Sequence, residues 1–258
     1  MSTINKENIF SVKNKIVVVT GSSQGNGYAI ANGFIENGAY VCGIDIKKPK
    51  NSKIINSDKF NYIKCDLSKD TSILDAIKKI KKRYKKIDVL INNAGTNLPE
   101  PFLKVKQSSL NTLLNINTKS AFNMAKLCVD KMLENKNRKK IGGAVVHISS
   151  MFGLVGGPNR TVYSMTKFGL EGLTRGMAVD LAKFNIRTNS VCPTFVETPR
   201  AKKYLANKNF KKYAISNIPL GKIATESDVA TSVTFLSSSA ASMITGTNII
   251  IDGGWTAK

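Results

Sequence analysis

Ile16-Val17-Val18-Val19-Thr20-Gly21-Ser22-Ser23-Gln24-Gly25-Asn26-Gly27 is the stretch on which the fold turns. A β-branched run ends in a Gly/Ser turn, and a helical pattern over 28–36 follows and stops near Asn37-Gly38. Between strand and helix, the glycines let the backbone turn tightly and approach a phosphate group. The helix N-terminus adds free N–H groups and the positive end of a dipole. The spacing is Gly-x-x-x-Gly-x-Gly, and on its own it is equally an ordinary strand-to-helix turn.

Outward from this point, short apolar runs alternate with longer helical patterns. Strands are expected at 40–46, 59–65, 89–91, 144–148, 187–192 and 248–251, and helices at 72–84, about 109–135, 162–183 and 229–236. Such alternation is the signature of a parallel sheet covered by helices. The expected fold is therefore α/β, a single doubly wound parallel sheet with helices on both faces, of Rossmann type. At 258 residues one domain spans 1–258, with 1–13 as an N-terminal extension and 199–219 as a substrate lid. Lysines and Arg83 in the run 78–86 surround apolar isoleucines at helical spacing and read as a solvated face.

The formal net charge is +22, from 39 Lys+Arg against 17 Asp+Glu. Of these 39, 33 are Lys and 6 are Arg, while Asn and Ile are also abundant, a pattern of coding bias. Arg, the residue suited to bidentate phosphate and base contacts, is scarce, which argues against nucleic acid as a partner. Cys42, Cys65, Cys128 and Cys192 are scattered, and with His147 as the one histidine no four-ligand zinc site is expected. Isolated cysteines suit a reducing compartment. No apolar run suggests a signal peptide or a membrane span, so a cytoplasmic protein without a membrane partner is expected.

Two constellations carry chemistry. Asp45 closes the second strand, 18 residues after Gly27. A carboxylate there accepts hydrogen bonds from a ribose 2′-hydroxyl and repels a 2′-phosphate, favouring NAD over NADP, with Lys47 and Lys48 partly offsetting the repulsion. The second is Ser150, Tyr163 and Lys167. Tyr163 and Lys167 share a helix face at four-residue spacing. A free tyrosine titrates at about 10, and a nearby ammonium is expected to lower that value toward useful acid/base work. Ser150 lies just past a strand's C-terminal end, the edge where open α/β sheets hold ligands.

These residues resemble the short-chain dehydrogenase/reductase family over nearly the whole chain. The matches run in order: the glycine motif, Asp66-Leu67, Asn92-Asn93-Ala94-Gly95, Asn117, Ser150, Tyr163, Lys167, and Pro193 with Thr198. The resemblance implies Tyr163 as catalytic acid/base, Ser150 stabilising the substrate oxygen, and Lys167 lowering the tyrosine pKa and binding the nicotinamide ribose. Asn117 would hold a water that relays protons from Lys167. Gly21, Ser23, Gln24, Gly25, Asn26 and Gly27 would hold the cofactor with Asp45, Asp66, Leu67, Asn93, Ala94, Gly95, Pro193, Val196 and Thr198. A homotetramer is implied as well. Two departures stand out. Asn26 replaces the family's usual isoleucine, which puts the local helix packing in question, and Thr194 replaces a usual glycine, so the loop over the nicotinamide is expected to take another path.

Substrate selection is expected in 96–102, 151–160 and 199–219. Arg160, three residues before Tyr163, is a candidate for a substrate carboxylate or hydroxyl. The expected function is interconversion of a secondary alcohol and a ketone with NAD, on a small polar substrate such as a sugar, polyol or hydroxy acid. An NADPH-dependent 3-oxoacyl carrier-protein reductase is the alternative. From another class, Gly21-Ser22-Ser23-Gln24-Gly25 fits the Gly-x-Ser-x-Gly elbow of an acyl hydrolase with Ser23 as nucleophile, but His147 on a strand is a poor partner. His147 and Cys192 are read as core residues, with the imidazole on the face opposite Ile148.

Overall fold

The valine run that opens the sequence is β1 (Ile16–Thr20), buried along its whole length. The computed structural model describes residues 8–257 other than 51 and 136, so 1–7 of the N-terminal extension lie outside the described residues. From β1 the chain runs through α1 (Gly25–Glu36), β2 (Tyr40–Asp45), a short α2 (Ser52–Ile55), β3 (Phe60–Lys64), α3 (Asp70–Arg83) and β4 (Val89–Asn92). Then come α4 (Gln107–Leu113), α5 (Ser120–Leu133), a short α6 (Arg138–Ile141), β5 (Gly143–Ile148), α7 (Thr161–Leu181) and β6 (Ile186–Pro193). Finally α8 (Pro199–Leu205) and α9 (Lys208–Ser216) precede α10 (Glu226–Ser237) and β7 (Asn248–Ile251).

Among the described residues seven strands form one sheet in the order β3-β2-β1-β4-β5-β6-β7, with every pairing parallel. Successive side chains of a strand point to opposite faces, and β1 shows it. Val17 and Val19 pack with Ile30 and Phe34 of α1 and Val229 and Val233 of α10. Val18 packs with Ile73 and Ile77 of α3 and Met124 and Cys128 of α5 on the other face. Helices therefore cover both faces. The chain order reverses between β1 and β4, and ligands of such sheets sit at that switch, beyond the C-terminal strand ends.

One expected element differs. The helix expected over about 109–135 is interrupted by a π-turn, Leu114–Lys119, between α4 and α5. A widened turn of this kind frees backbone groups and re-aims side chains, and the residue it aims is Asn117. The 199–219 segment folds as α8 and α9, which enclose a small core of Ala214, Ile218 and Ile223 against Phe195 and Trp255. Among the described residues no helix is long and apolar enough to cross a membrane, and no cluster of His, Cys, Asp and Glu could hold a metal.

Candidate active site

The first turn fixes one end of the site. Gly25 has φ +60°, and a Cβ on Gly27 would stand 2.0 Å from the Gly21 carbonyl oxygen, so α1 starts hard against the end of β1 only because position 27 has no side chain. Asn93, beyond β4, locks the switch point: its Nδ2 donates to the carbonyls of Thr20 (2.9 Å) and Gly21 (3.1 Å). Thr20 Oγ1 in return accepts from the backbone N–H of Asn93 and Ala94, both at 3.0 Å. At the end of β2, Asp45 accepts from the N–H of Ser23 (3.0 Å) and Lys47 (3.2 Å). Asp66 is held by Ser68, whose hydroxyl hydrogen bond, with its N–H, keeps the carboxyl below its usual range.

A cleft of about 630 Å³ runs along these strand ends. Gly21, Gln24, Gly25, Asn26, Gly27, Asp45, Asp66 and Leu67 line one half. Asn93, Ala94, Gly95, Pro193, Val196 and Thr198 continue the wall to Ser150, Tyr163 and Lys167. Of the expected cofactor residues, Ser23 alone lies outside this lining: its hydroxyl donates to the Lys47 carbonyl and its N–H to Asp45. The glycine cradle, the two carboxylates at one end and the Tyr–Lys pair at the other fit an elongated dinucleotide.

Ser150 follows β5 by two residues, and its Oγ accepts from the Phe152 N–H at 3.2 Å, which fixes the hydroxyl at the cleft floor. Tyr163 and Lys167 occupy the first two turns of α7. Lys167 Nζ donates to the Ile148 carbonyl at 2.8 Å and stands 5.6 Å from the centre of the Tyr163 ring. Burial pushes its pKa down to about 8, with Cys192 and Glu171 opposing the shift. The tyrosine departs from expectation: burial raises its pKa, and the opposing effects come from a hydrogen bond with Ser150 and then the charges of Arg160 and Arg200. Desolvation of a phenolate outweighs an ammonium that is itself buried and directed at a carbonyl.

Asn117 is held between the 96–102 segment and α7. Its Oδ1 accepts from the Thr96 N–H (2.8 Å), while Nδ2 donates to the Thr96 carbonyl (2.9 Å) and to Thr166 Oγ1 (3.1 Å). Both amide protons and the oxygen are engaged, so the side chain pins the start of the 96–102 segment to α7.

The two sequence departures resolve locally. Asn26 leaves the packing of α1 intact, because that helix buries Gly27, Ile30, Ala31 and Phe34; Asn26 lines the cleft with its Oδ1 unpartnered. Thr194 adopts no positive φ, and its N–H bonds the Ile251 carbonyl at 3.0 Å, so the loop extends the β6–β7 register without the strain a β-branched residue would meet in a glycine conformation. His147 lies on the face opposite Ile148, hydrogen-bonded to Asn92 at 3.3 Å, with burial holding its pKa down to about 4. The Ser23 hydroxyl donates to the Lys47 carbonyl and His147 is bonded to Asn92, so among the described residues no histidine stands ready to activate Ser23, which removes the hydrolase arrangement. Cys192 donates to buried Glu171 at 3.3 Å and is pushed up to about 12 by burial.

The three expected substrate segments meet at the mouth. The Glu100 N–H bonds the Asn159 carbonyl at 3.2 Å, and Arg200 Nη1 reaches Thr96 Oγ1 at 3.4 Å. Arg160 is half-buried at the start of α7, in a side chamber beside Ser150 and Tyr163. Asn97 and Arg200 also line the cleft. Sequence reading gave Asn97 no role, since nothing distinguishes one Asn in a polar loop.

The sequence model of the family described as enoyl-(acyl carrier protein) reductase matches residues 21–256. The chain belongs to the short-chain dehydrogenase/reductase family. It is an NAD(P)-dependent oxidoreductase of that family. A 3-oxoacyl-(acyl-carrier-protein) reductase of Thermotoga maritima is 32% identical over 248 residues, covering 94% of this chain and 98% of the relative. An NAD-dependent glycerol dehydrogenase of Listeria innocua is 34% identical over 254 residues, 96% of each chain. In three dimensions this short-chain dehydrogenase/reductase is similar to a Beutenbergia cavernae protein described as an NAD(P)-dependent gluconate 5-dehydrogenase, with NADP bound at low occupancy. That likeness has a TM-score of 0.90 at 27% identity, over 97% of this chain and 100% of that one.

Proposed function

We propose that this dehydrogenase/reductase interconverts a secondary alcohol and a ketone on a small polar substrate, a sugar, polyol or hydroxy acid, and that it prefers NAD. The observation that carries the reading is the placement of Ser150, Tyr163 and Lys167 on the same cleft as the glycine turn and Asp45. The nicotinamide supplies the hydride acceptor or donor. In the reductive direction the Tyr163 phenol, kept protonated by burial, would give its Oη proton to the ketone oxygen as hydride reaches the carbon. In the oxidative direction it is the phenolate that would take the alcohol proton, while Ser150 Oγ donates a hydrogen bond to the substrate oxygen and stabilises charge as it develops. Lys167 Nζ, anchored on the Ile148 carbonyl, presents its remaining protons toward the cofactor ribose and the phenol. Thr198, Val196 and Pro193 would line the carboxamide end and Asp66 and Leu67 the adenine end, with Ala94 between them and Gly95 beside Lys167.

Asp45 supports the NAD preference. Its carboxylate is fixed in place by Ser23 and Lys47, where it meets a ribose 2′-hydroxyl and repels a 2′-phosphate. Titration of the protein with NADH and NADPH, followed by fluorescence, tests this. NADH is expected to bind at least about tenfold more tightly, a difference of ~1.4 kcal/mol, with Asp45→Ala erasing it. Tighter NADPH binding would mean that Lys47 or Lys48 overrides Asp45.

One observation favours the alternative carrier-protein reductase: Lys202, Lys203, Lys208, Lys211 and Lys212 of α8 and α9 are all exposed, a surface suited to an acidic partner. Self-association belongs to the main reading, since Phe122, Met165, Phe168 and Val179 expose apolar surface on α5 and α7. Sedimentation as a monomer would remove that part.

A further inference from the structure

A side chamber of about 110 Å³ opens from the cleft next to Ser150 and Tyr163. It shares Asn97, Ser150, Tyr163, Thr194 and Phe195 with the main cleft, and Met151, Phe152 and Arg160 complete its wall. Space on this scale holds several waters, or a short polar end of a substrate whose reacting carbon lies at Ser150 and Tyr163. Three residues of the wall carry a buried polar atom without a partner: Asn97 Oδ1, Arg160 Nε and Thr194 Oγ1. Each such atom left unmet costs about 1–3 kcal/mol, more when charged. Three such residues, drawn from three separate loops, meet on the wall of one small chamber, where a small side-chain shift would offer these atoms to a ligand.

The chemistry of the three atoms specifies that complement. Arg160 Nε–H is a cationic donor, Thr194 Oγ1 carries a hydroxyl donor, and Asn97 Oδ1 is an acceptor. Arg160 Nη1 reaches only its neighbour's carbonyl, Asn159, at 3.4 Å, and no salt bridge to it is found among the described residues. A second guanidinium, that of Arg200, stands at the cleft mouth against Thr96. Arg160 lines the chamber together with Tyr163, and Arg200 lines the main cleft with it.

We infer that this chamber is a subsite for the acid end of a hydroxy acid: a carboxylate accepting from Arg160 and Thr194, with a hydroxyl on the adjoining carbon donating to Asn97. The inference rests on the proposed oxidoreductase reading and narrows its substrate class from polar alcohols in general to polyhydroxy acids and their oxo forms. The 3-oxoacyl group of a carrier-bound chain offers only uncharged carbonyl acceptors and no hydroxyl donor for Asn97 Oδ1. A neutral polyol would meet the donors, but without the charge that makes an Arg–carboxylate bond about twice as strong as a neutral one.

The test compares two ligands that differ at this end alone. Gluconate and sorbitol share a six-carbon polyhydroxy chain, one ending in a carboxylate and the other in a hydroxymethyl. Calorimetric titration of each into the protein saturated with NADH reads binding without turnover. Gluconate is expected to bind at least about tenfold more tightly than sorbitol, a step of ~1.4 kcal/mol. In Arg160→Met that ratio should fall toward one, Arg160→Lys should restore part of it, and Thr194→Val should lower it about threefold, or ~0.6 kcal/mol. The inference is overturned if the two ligands bind equally to the native protein, if neither binds, or if the preference survives Arg160→Met with NADH still bound. Failure of NADH itself to bind appears before either ligand is added and brings down the oxidoreductase reading instead.

Discussion

The two halves of the cleft are built on different principles. Around the glycine turn, polar groups mostly satisfy one another: Thr20, Asn93, Asp45 and Ser23 exchange hydrogen bonds with backbone from two strand ends and two loops. Ser22 Oγ, Asn26 Oδ1 and, beside Gly25, Glu226 Oε1 are the exceptions. Around Arg160, by contrast, three polar atoms from three loops converge without partners. A half that is closed on itself holds a common ligand through its backbone shape. A half with open valences is set up for one particular ligand, because only the right donors and acceptors recover the desolvation cost.

The largest test of that contrast is at the closed half. A Cβ on residue 27 would overlap the Gly21 carbonyl and crowd Asn93 Nδ2 at 2.4 Å, neither of which is a free end that can swing aside. Gly27→Ala should weaken NADH binding by at least about a hundredfold, ~2.7 kcal/mol, and lower the unfolding temperature. Retained affinity measured by fluorescence would show that the turn's shape is not what holds the cofactor.

A second test, read in stability and not in binding, sharpens the contrast from below the cleft. His147, on β5 between the two halves, has its Nε2 unpartnered and its pKa held down to about 4, by burial and then by the Lys167 charge. The unfolded chain takes up this proton near the usual 6.5, while the fold refuses it until about 4. Stability contributed by the neutral ring is therefore fully present above 6.5 and is lost as pH falls from there toward about 4. Against His147→Gln, the native protein should lose stability on the order of 3 kcal/mol more over that window. Denaturant titrations of both proteins that shift in parallel between those pH values would contradict it.

The same division explains what could be read from the sequence. The β1–turn–α1 unit is contiguous, so its β-branched run and glycine spacing report the fold directly, and Asp45, Asp66 and Asn93 follow at strand ends fixed by that fold. The Ser150–Tyr163–Lys167 set was equally legible because spacing along one strand end and one helix determines it. The chamber was not. Asn97, Arg160 and Thr194 lie in three loops, and only Arg160 stood out, through the scarcity of arginine. The π-turn at Leu114–Lys119 was hidden because an apolar period near 3.6 barely changes when one turn widens. The direction of the Tyr163 shift was misjudged because a four-residue spacing reports the neighbour's charge and says nothing of the desolvation both groups undergo.

On the proposed mechanism Tyr163 moves the proton in a cleft that binds the cofactor independently of it. The most direct measurement is the rate of NADH or NADPH formation from a panel of polyols and sugar acids by the native protein and by Tyr163→Phe, with cofactor affinity measured alongside. The phenylalanine keeps the ring and loses the hydroxyl, so the rate should fall by about 10²–10⁴-fold while NADH affinity changes by less than about threefold. A Tyr163→Phe protein that oxidises the same alcohol at the native rate would contradict the account.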